Sequence, residues 1–221
     1  VPRNLIVFGA GDIAELAAFY FDHDSDFEVL AFTVDREHLD HESAFGRPLV
    51  PFDEIERRFP PGEHDMFVAL SYAQLNGLRR DRVTAARAKG YRLASYVSSR
   101  ATTFPGLVHG ENCFILEDNT IQPFVTIGEN VTLWSGNHIG HHSRIGDHCF
   151  VASHVVVSGG VTLGEQCFVG VNVTIRDHVR VGDRCVLGAG ALISADADAD
   201  GVYAPAATER SRVPSHRLRR I

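Results

Sequence analysis

From residue 107 to residue 196 the hydrophobic pattern repeats every six positions. Cut into sixes, the segment reads LVHGEN CFILED NTIQPF VTIGEN VTLWSG NHIGHH SRIGDH CFVASH VVVSGG VTLGEQ CFVGVN VTIRDH VRVGDR CVLGAG ALISAD. The third position is aliphatic in every hexad after the first, from Ile115 to Ile193, and Gly often follows it. This fits neither the 3.6-residue period of a helix nor the alternation of a half-buried strand. One inward aliphatic, a following Gly and a small first residue suit one flat side of a triangular coil. Three such units close a turn of eighteen residues, and successive turns stack as parallel strands about 4.8 Å apart. Fifteen hexads make five coils.

The pattern resembles the hexapeptide repeat of the left-handed parallel β-helix. The hand is implied by that resemblance, since no spacing argument delivers it. Upstream, the periodicity changes. Residues 4–11 (NLIVFGAG) read as a buried strand running into a turn, 12–21 as an amphipathic helix and 27–34 as a second strand ending at Asp35. Gly9 and Gly11 occupy the first turn, as in the opening β-turn-α-β of a Rossmann-like unit, although the third Gly of G-x-G-x-x-G is missing. A short helix after Pro51, a strand in MFVALS, a helix over 75–89 and a strand in YRLASYV complete a small parallel α/β sheet. The expected organisation is an α/β Rossmann-like domain over 1–97, a polar link without periodicity, an all-β left-handed β-helix over 107–196 and a tail over 197–221. That tail opens on an acidic run and turns basic, with Arg210, Arg212, Arg217, Arg219 and Arg220. It reads either as a solvated tail or as a clamp on a phosphorylated ligand.

Composition narrows the function classes. A formal charge of −7 with scattered Arg disfavours nucleic acid as partner, and no apolar run reaches the roughly 18 residues that span a membrane. The first residues lead straight into a strand pattern, so a signal peptide is not expected. Cys113, Cys149, Cys167 and Cys185 all fall in first positions of hexads, and the last three are eighteen apart. With no C-x-x-C pair they are expected as buried free thiols, not as a metal or redox site, and a reducing cytoplasm is the matching compartment.

Six of the twelve histidines lie between His138 and His178. The register scatters them: His142, His148 and His154 take the sixth position of successive hexads, at three different corners. No metal site is expected. His141 differs, because one coil on, in the same column, stands Gly159. An imidazole with no side chain over it is a workable general base, able to take a proton from an amine or hydroxyl attacking a thioester. No nucleophile is evident, so direct transfer is expected over covalent catalysis. Phe114, Phe150 and Phe168 form an outward column with Trp134 on the same face, which predicts burial against another subunit and therefore an oligomer.

Taken together, the Gly turn, the Asp after the second strand and the hexapeptide array resemble the bacterial sugar acyltransferases typified by sialic acid O-acetyltransferase and the aminosugar N-acetyltransferases (NeuD and PglD-like proteins). The resemblance covers nearly the whole chain. It implies a homotrimer with active sites between adjacent β-helices, acetyl-CoA as acyl donor, and a nucleotide-sugar acceptor held by the amino-terminal domain. Carried over by motif, it implies His141 in IGHHSRIGDH as catalytic base, Gly159 and Val171 as acetyl-CoA contacts, and Gly9, Gly11 and Asp35 as acceptor-binding residues. It places His142 where the family commonly has the acidic residue that tunes the base, and Phe150 where some members have a His that touches the cofactor. Asp12 and Glu15 bring negative charge to the Gly turn. The expected function is therefore acyl transfer to an amino sugar. Transfer to a sugar hydroxyl and a metal-dependent lyase resembling the gamma-class carbonic anhydrases are the alternatives.

Overall fold

The computed structural model describes residues 2–210 and 212–217. Strand β1 (Arg3–Phe8) leads through Gly9 into α1 (Asp12–His23), whose Ala14, Ala17, Ala18 and Phe21 face inward at helical spacing. Strand β2 (Phe27–Val34), the short hairpin β3 (Ser43–Ala44) and β4 (Arg47–Pro51), helix α2 (Ile55–Arg58), strand β5 (Asp65–Val68), helix α3 (Gly77–Ala88) and strand β6 (Arg92–Leu93) follow. They form one sheet in the order β3-β4-β2-β1-β5-β6, parallel except for the β3–β4 pair. The chain leaves β1 towards β2 on one side and returns to β5 on the other. The carboxyl ends of these strands therefore flank a crevice at the point where the order reverses.

Beyond β6 the chain winds into a three-sided coil of parallel strands, each two residues long and formed by the second and third positions of a hexad. The first face stacks Thr120–Ile121, His138–Ile139, Val156–Val157, Thr174–Ile175 and Leu192–Ile193. The second face includes Thr126–Ile127, Arg144–Ile145 and Thr162–Leu163; the third includes Phe114–Ile115, Thr132–Leu133, Phe150–Val151 and Phe168–Val169. Partners are eighteen residues apart, as in His138 with Val156 and Phe150 with Phe168. The third-position aliphatics and the four free cysteines fill the interior. Each thiol lies against a backbone carbonyl of the next coil, as Cys149 Sγ does with Gly164 O at 3.0 Å, and burial pushes the Cys113 thiol up to about 11.

The histidine-rich corners have a conformational cause. Asn112, Asn130, His142, His148, His154, Gln166, Asn172 and His178 all occupy sixth positions and all have φ between 54° and 61°. Asn and His enter this left-handed region more readily than most side chains. The repeat therefore selects such residues at its corners without any metal. Among the described residues, no group of three His, Cys, Asp or Glu side chains is placed to hold an ion.

Three expectations change. First, YRLASYV is not one strand: after β6 the chain switches sheets, and β7 (Tyr96–Val97) pairs with Phe114–Ile115 on the third face. The link after it keeps the coil register, with Thr102 bridging Thr120 eighteen residues on, although polar residues hide the period. Second, the coil continues past the hexads. Val202–Tyr203 pairs with Val186–Leu187 at an offset of sixteen, so the acidic run shortens a coil instead of ending it. Third, the aromatic column is covered by the chain itself. Phe114 and Phe150 are only 2% and 4% exposed, the first against Tyr20, Phe67 and Tyr96, the second beside Tyr72. That column carries no argument for assembly. In the tail, Arg210, Arg212 and Arg217 are exposed, while Arg219 and Arg220 lie outside the described residues.

The seam between sheet and coil is polar as well as aromatic. Asn112 pairs with the Val68 backbone through both ends of its amide, at 2.7 and 3.2 Å. Arg79, 1% exposed on α3, donates to Thr132 Oγ1 and to the carbonyls of Asn130, His148 and Cys149 at 3.0 to 3.3 Å. Burial pulls its guanidinium down to about 10. At the far end of the seam, Tyr20 Oη donates to Glu117. Asp24, just past α1, accepts from Ser99 N at 2.9 Å and Tyr96 Oη at 2.6 Å. These bonds, Ser99 first, hold its carboxyl down at about 2 against an ordinary 3.8. The unfolded chain takes up that proton first, so this stabilisation is complete above about pH 4 and is lost as pH falls through about 2. Asp24→Asn is expected to flatten the loss of stability between pH 4 and pH 2 in urea titrations; an unchanged slope would show that the contact contributes nothing.

Candidate active site

At the edge where the first face turns into the second, successive coils place His141 and Gly159 in one column. The Gly159 backbone lies so close beneath the imidazole that a Cβ there would stand 2.6 Å from His141 Cε1 and 2.8 Å from Nε2. Gly140 is constrained in turn, because its own Cβ would meet Gly159 N at 2.6 Å. His141 N–H donates to Gln122 Oε1 at 2.9 Å, and Gly160 N–H donates to His141 O at 2.8 Å. The backbone under the ring is thus pinned while the ring itself is exposed to solvent.

His142 is the imidazole's polar neighbour. The two Nδ1 atoms are 3.1 Å apart, and the His142 ring rests 4.7 Å from exposed Phe124. At that separation one Nδ1 must carry a proton and the other a lone pair. If His141 donates, its Nε2 over Gly159 has a free lone pair and is a base. If His142 donates, His141 Nε2 carries the proton and is not. A proton added to either ring therefore removes the basic form. The tautomer pair, not a carboxylate, sets the orientation of His141 here.

A second cluster sits at the carboxyl ends of β1 and β2. Gly9, Gly11 and Asp35 line one crevice of about 280 Å³, walled by Phe8, Leu70 and Leu78. Gly9 is required by the fold: its φ is +127°, and a Cβ would stand 2.7 Å from Ala69 O. Gly11 is different, because nothing lies within 4 Å of its Cβ position, so its bareness opens the start of α1 to the crevice. The amides of Ala14 and Glu15 are taken by Gly11 O, which leaves those of Asp12 and Ile13 as the unclaimed donors of the first turn. Asp12 and Glu15 are exposed and do not line the crevice. The crevice is lined by the carboxylates of Asp35 and Glu37 and by a cation that the sequence did not reveal, Arg82 of α3, whose Nε lies 3.1 Å from Asp35 Oδ2. In the sequence Arg82 is one of four arginines along the helix. Only its position four residues after Leu78, which also lines the crevice, sets it apart.

Val171 is not brought to His141. It follows Phe168–Val169 on the third face and precedes Thr174–Ile175 on the first, so it stands at the opposite edge of the first face from His141 and Gly159. There it lines an apolar pocket of about 380 Å³ with Ile13, Tyr72, Trp134, Phe150 and Phe168. Ile13 is two residues from Gly11. The crevice and this pocket therefore flank the start of α1 on the same chain.

The repeat carries the signature of a known family. Residues 106–141, 126–159 and 160–195 match the family model described as bacterial transferase hexapeptide (six repeats). Over residues 106–195 the chain is similar to a bacterial transferase hexapeptide array. Whole-chain likenesses extend to solved structures. PerB from Caulobacter crescentus, in complex with CoA and GDP-perosamine, matches with a TM-score of 0.81 at 22% identity, over 91% of this chain and 94% of that one. The acetyltransferase domain of PglB from Neisseria gonorrhoeae, in complex with acetyl coenzyme A, matches at 0.78 and 22%, over 90% and 94%. WeeI from Acinetobacter baumannii matches at 0.69 and 16%, over 90% and 95%. At these identities the likeness is one of fold. No curated protein matches the chain.

The Gly159 contact generates a direct test. Gly159→Ala is expected to drive the His141 ring off the corner while lowering stability by no more than about 1 kcal/mol, because the ring it displaces is solvent-exposed. The imidazole NMR resonances of His141 should shift and the melting temperature should hardly move. Unshifted resonances would mean that the ring does not rest on Gly159 in solution.

Proposed function

We propose that this chain is an acetyl-CoA-dependent N-acyltransferase acting on a nucleotide-linked amino sugar. The observation that carries this reading is the bare Gly159 corner beneath His141 on a hexapeptide transferase array. The fold it shares with PerB and the PglB domain, which were solved with CoA or acetyl coenzyme A, supports the acyl donor. A neighbour described as a perosamine N-acetyltransferase favours an amine acceptor over a hydroxyl. In this reading the amino-terminal sheet is Rossmann-like and holds the nucleotide in the crevice of Gly9, Gly11 and Asp35. The coil is left-handed, as in the proteins it resembles. The unpaired, buried cysteines suit a cytoplasmic enzyme.

The chemistry needs one base and no covalent intermediate. The acceptor amine attacks the thioester carbonyl carbon, and His141 Nε2 removes its proton as the C–N bond forms. Collapse of the tetrahedral adduct breaks the C–S bond, and the imidazolium returns the proton to the departing thiolate. His142 Nδ1 accepts from His141 Nδ1–H throughout, which keeps the basic lone pair on Nε2. His142 is thus a positioning residue in place of the usual acid.

Assembly follows from the separation of the two half-sites. One chain holds the acceptor crevice and Val171 on one edge of the first face and His141 with Gly159 on the other. In a homotrimer the His141 edge of one subunit meets the Val171 edge of the next, so that the donor bridges both. Apolar residues left uncovered on this part of the coil, Phe124 at 74%, Val156 at 40% and Leu192 at 70% exposure, support such an interface.

His141→Asn is expected to lower kcat/KM by about 10²- to 10⁴-fold with acetyl-CoA binding nearly unchanged. Near-normal turnover would remove His141 from the mechanism. His142→Asn, which tolerates the same positive φ, should cost about tenfold and alter the acid limb of the pH–rate profile. Sedimentation should give a trimer at micromolar concentration, and a monomer with full activity would refute the shared site.

A further inference from the structure

Helix α3 carries four arginines, and three of them are committed to the coil. Arg79 is buried among coil carbonyls, Arg80 donates to Gln166 Oε1 at 3.0 Å, and Arg87 pairs with Glu111 and Glu129 at 3.0 and 2.7 Å. Arg82 alone of the four faces the crevice. Its contact there is imperfect. The Nε atom is shielded from solvent and lies 3.1 Å from Asp35 Oδ2, yet it makes no hydrogen bond of acceptable geometry. Charge, without a directed N–H···O bond, holds the pair together. A shielded donor left in this state costs free energy that a better acceptor would recover.

The nearby alternatives are already occupied. Arg36, beside Asp35 at the rim, is held by Asp53 at 2.9 Å and by Glu54. The other acidic side chain in the lining is Glu37. An anionic ligand entering beside Gly11 meets the two unclaimed amides of α1 and one guanidinium, which is at that moment neutralised by a carboxylate.

We propose that Arg82 is the phosphate-binding residue of this crevice and that Asp35 is its resting partner. Entry of a nucleoside diphosphate moves the guanidinium from Asp35 to the diphosphate, and frees the Asp35 carboxylate to accept from donors on the ribose or base. The exchange accounts for two features at once: a crevice for a phosphorylated ligand that carries acidic residues, and an ion pair whose geometry is poor when nothing is bound. It also couples the two ends of the ligand. A nucleoside without phosphate leaves Asp35 engaged, and pyrophosphate without a nucleoside must compete with Asp35 for Arg82.

The inference rests on the nucleotide-linked acceptor proposed above, and calorimetric titration of four protein forms separates the two. The probes are inorganic pyrophosphate, GDP and UDP, at low and high salt. Arg82→Gln is expected to weaken binding of the preferred nucleoside diphosphate about tenfold and to reduce its salt dependence, with Arg82→Lys in between. Asp35→Asn should have opposite effects on the two probes, tightening pyrophosphate severalfold and weakening the nucleoside diphosphate. Arg82 and Asp35 are partly exposed, and matched melting temperatures without ligand show that the variants are folded. If the wild type binds GDP or UDP and Arg82→Gln binds it equally well, or if Asp35→Asn does not tighten pyrophosphate, the exchange is overturned and the acceptor reading stands. If pyrophosphate binding depends on Arg82 and tightens in Asp35→Asn but no nucleotide binds, Arg82 stands as the phosphate-binding residue with Asp35 as its resting partner, and the nucleotide-linked acceptor falls. Absence of binding by every probe overturns both.

Discussion

Stacking at eighteen residues per coil is the constraint on which the rest of this structure depends. Strand partners such as His138 with Val156 lie one coil apart, and each coil covers the aliphatic row of its neighbour. Because the spacing is held by backbone hydrogen bonds all along the array, a residue's neighbours in the column are set by its number alone. Gly159 lies under His141 for that reason, and His178 lies against Gly160 for the same one. The coil tolerates local departures. Its last turn runs in sixteen residues and the stacking still continues.

The amino-terminal sheet is not a loosely tethered appendage. Arg79 reaches from α3 to three coil carbonyls and one hydroxyl with no carboxylate in contact, so its charge is solvated by the coil's own backbone. A buried cation bonded in this way through its terminal nitrogens, with Nε left unpartnered, is costly to expose or to misplace, and it therefore favours one docking geometry over others. Aromatic packing around Phe114 and the Asn112 amide bonds to Val68 act in the same direction. One consequence is functional: the docking holds the start of α1 between the crevice and the Val171 pocket.

In the proposed function the chemistry is divided between two edges of one face. A histidine pair over a bare glycine stands at one edge, and the crevice with its apolar extension stands at the other. Neither half resembles a complete enzyme site. The separation accounts for the exposed ring of His141, while the binding features cluster near the amino-terminal sheet. It also explains the glycines unequally: Gly9 and Gly140 are demanded by close backbone approach, whereas Gly11 leaves open space.

What the sequence determined by itself was everything that depends on period. Six-residue spacing is enough to place the inward aliphatics, the buried thiols, the corner histidines and the His141–Gly159 column, since a coil of fixed length converts sequence separation into position. Much of the order of strands and helices over the first ninety residues was legible too, from alternating short apolar runs and amphipathic spacing, but β3 and β4 were not expected. Contacts between non-repeating parts were decided only by tertiary structure. The outward Phe114, Phe150 and Phe168 read as an interface with another subunit, because period says which side chains point out but not what covers them. Helix α3 was expected only as a helix, and its spacing did not show that it divides its arginines between the coil and the crevice. In each case the deciding quantity was how the sheet docks on the coil, which depends on shape and on buried hydrogen bonds between residues tens of positions apart, and no local pattern encodes it.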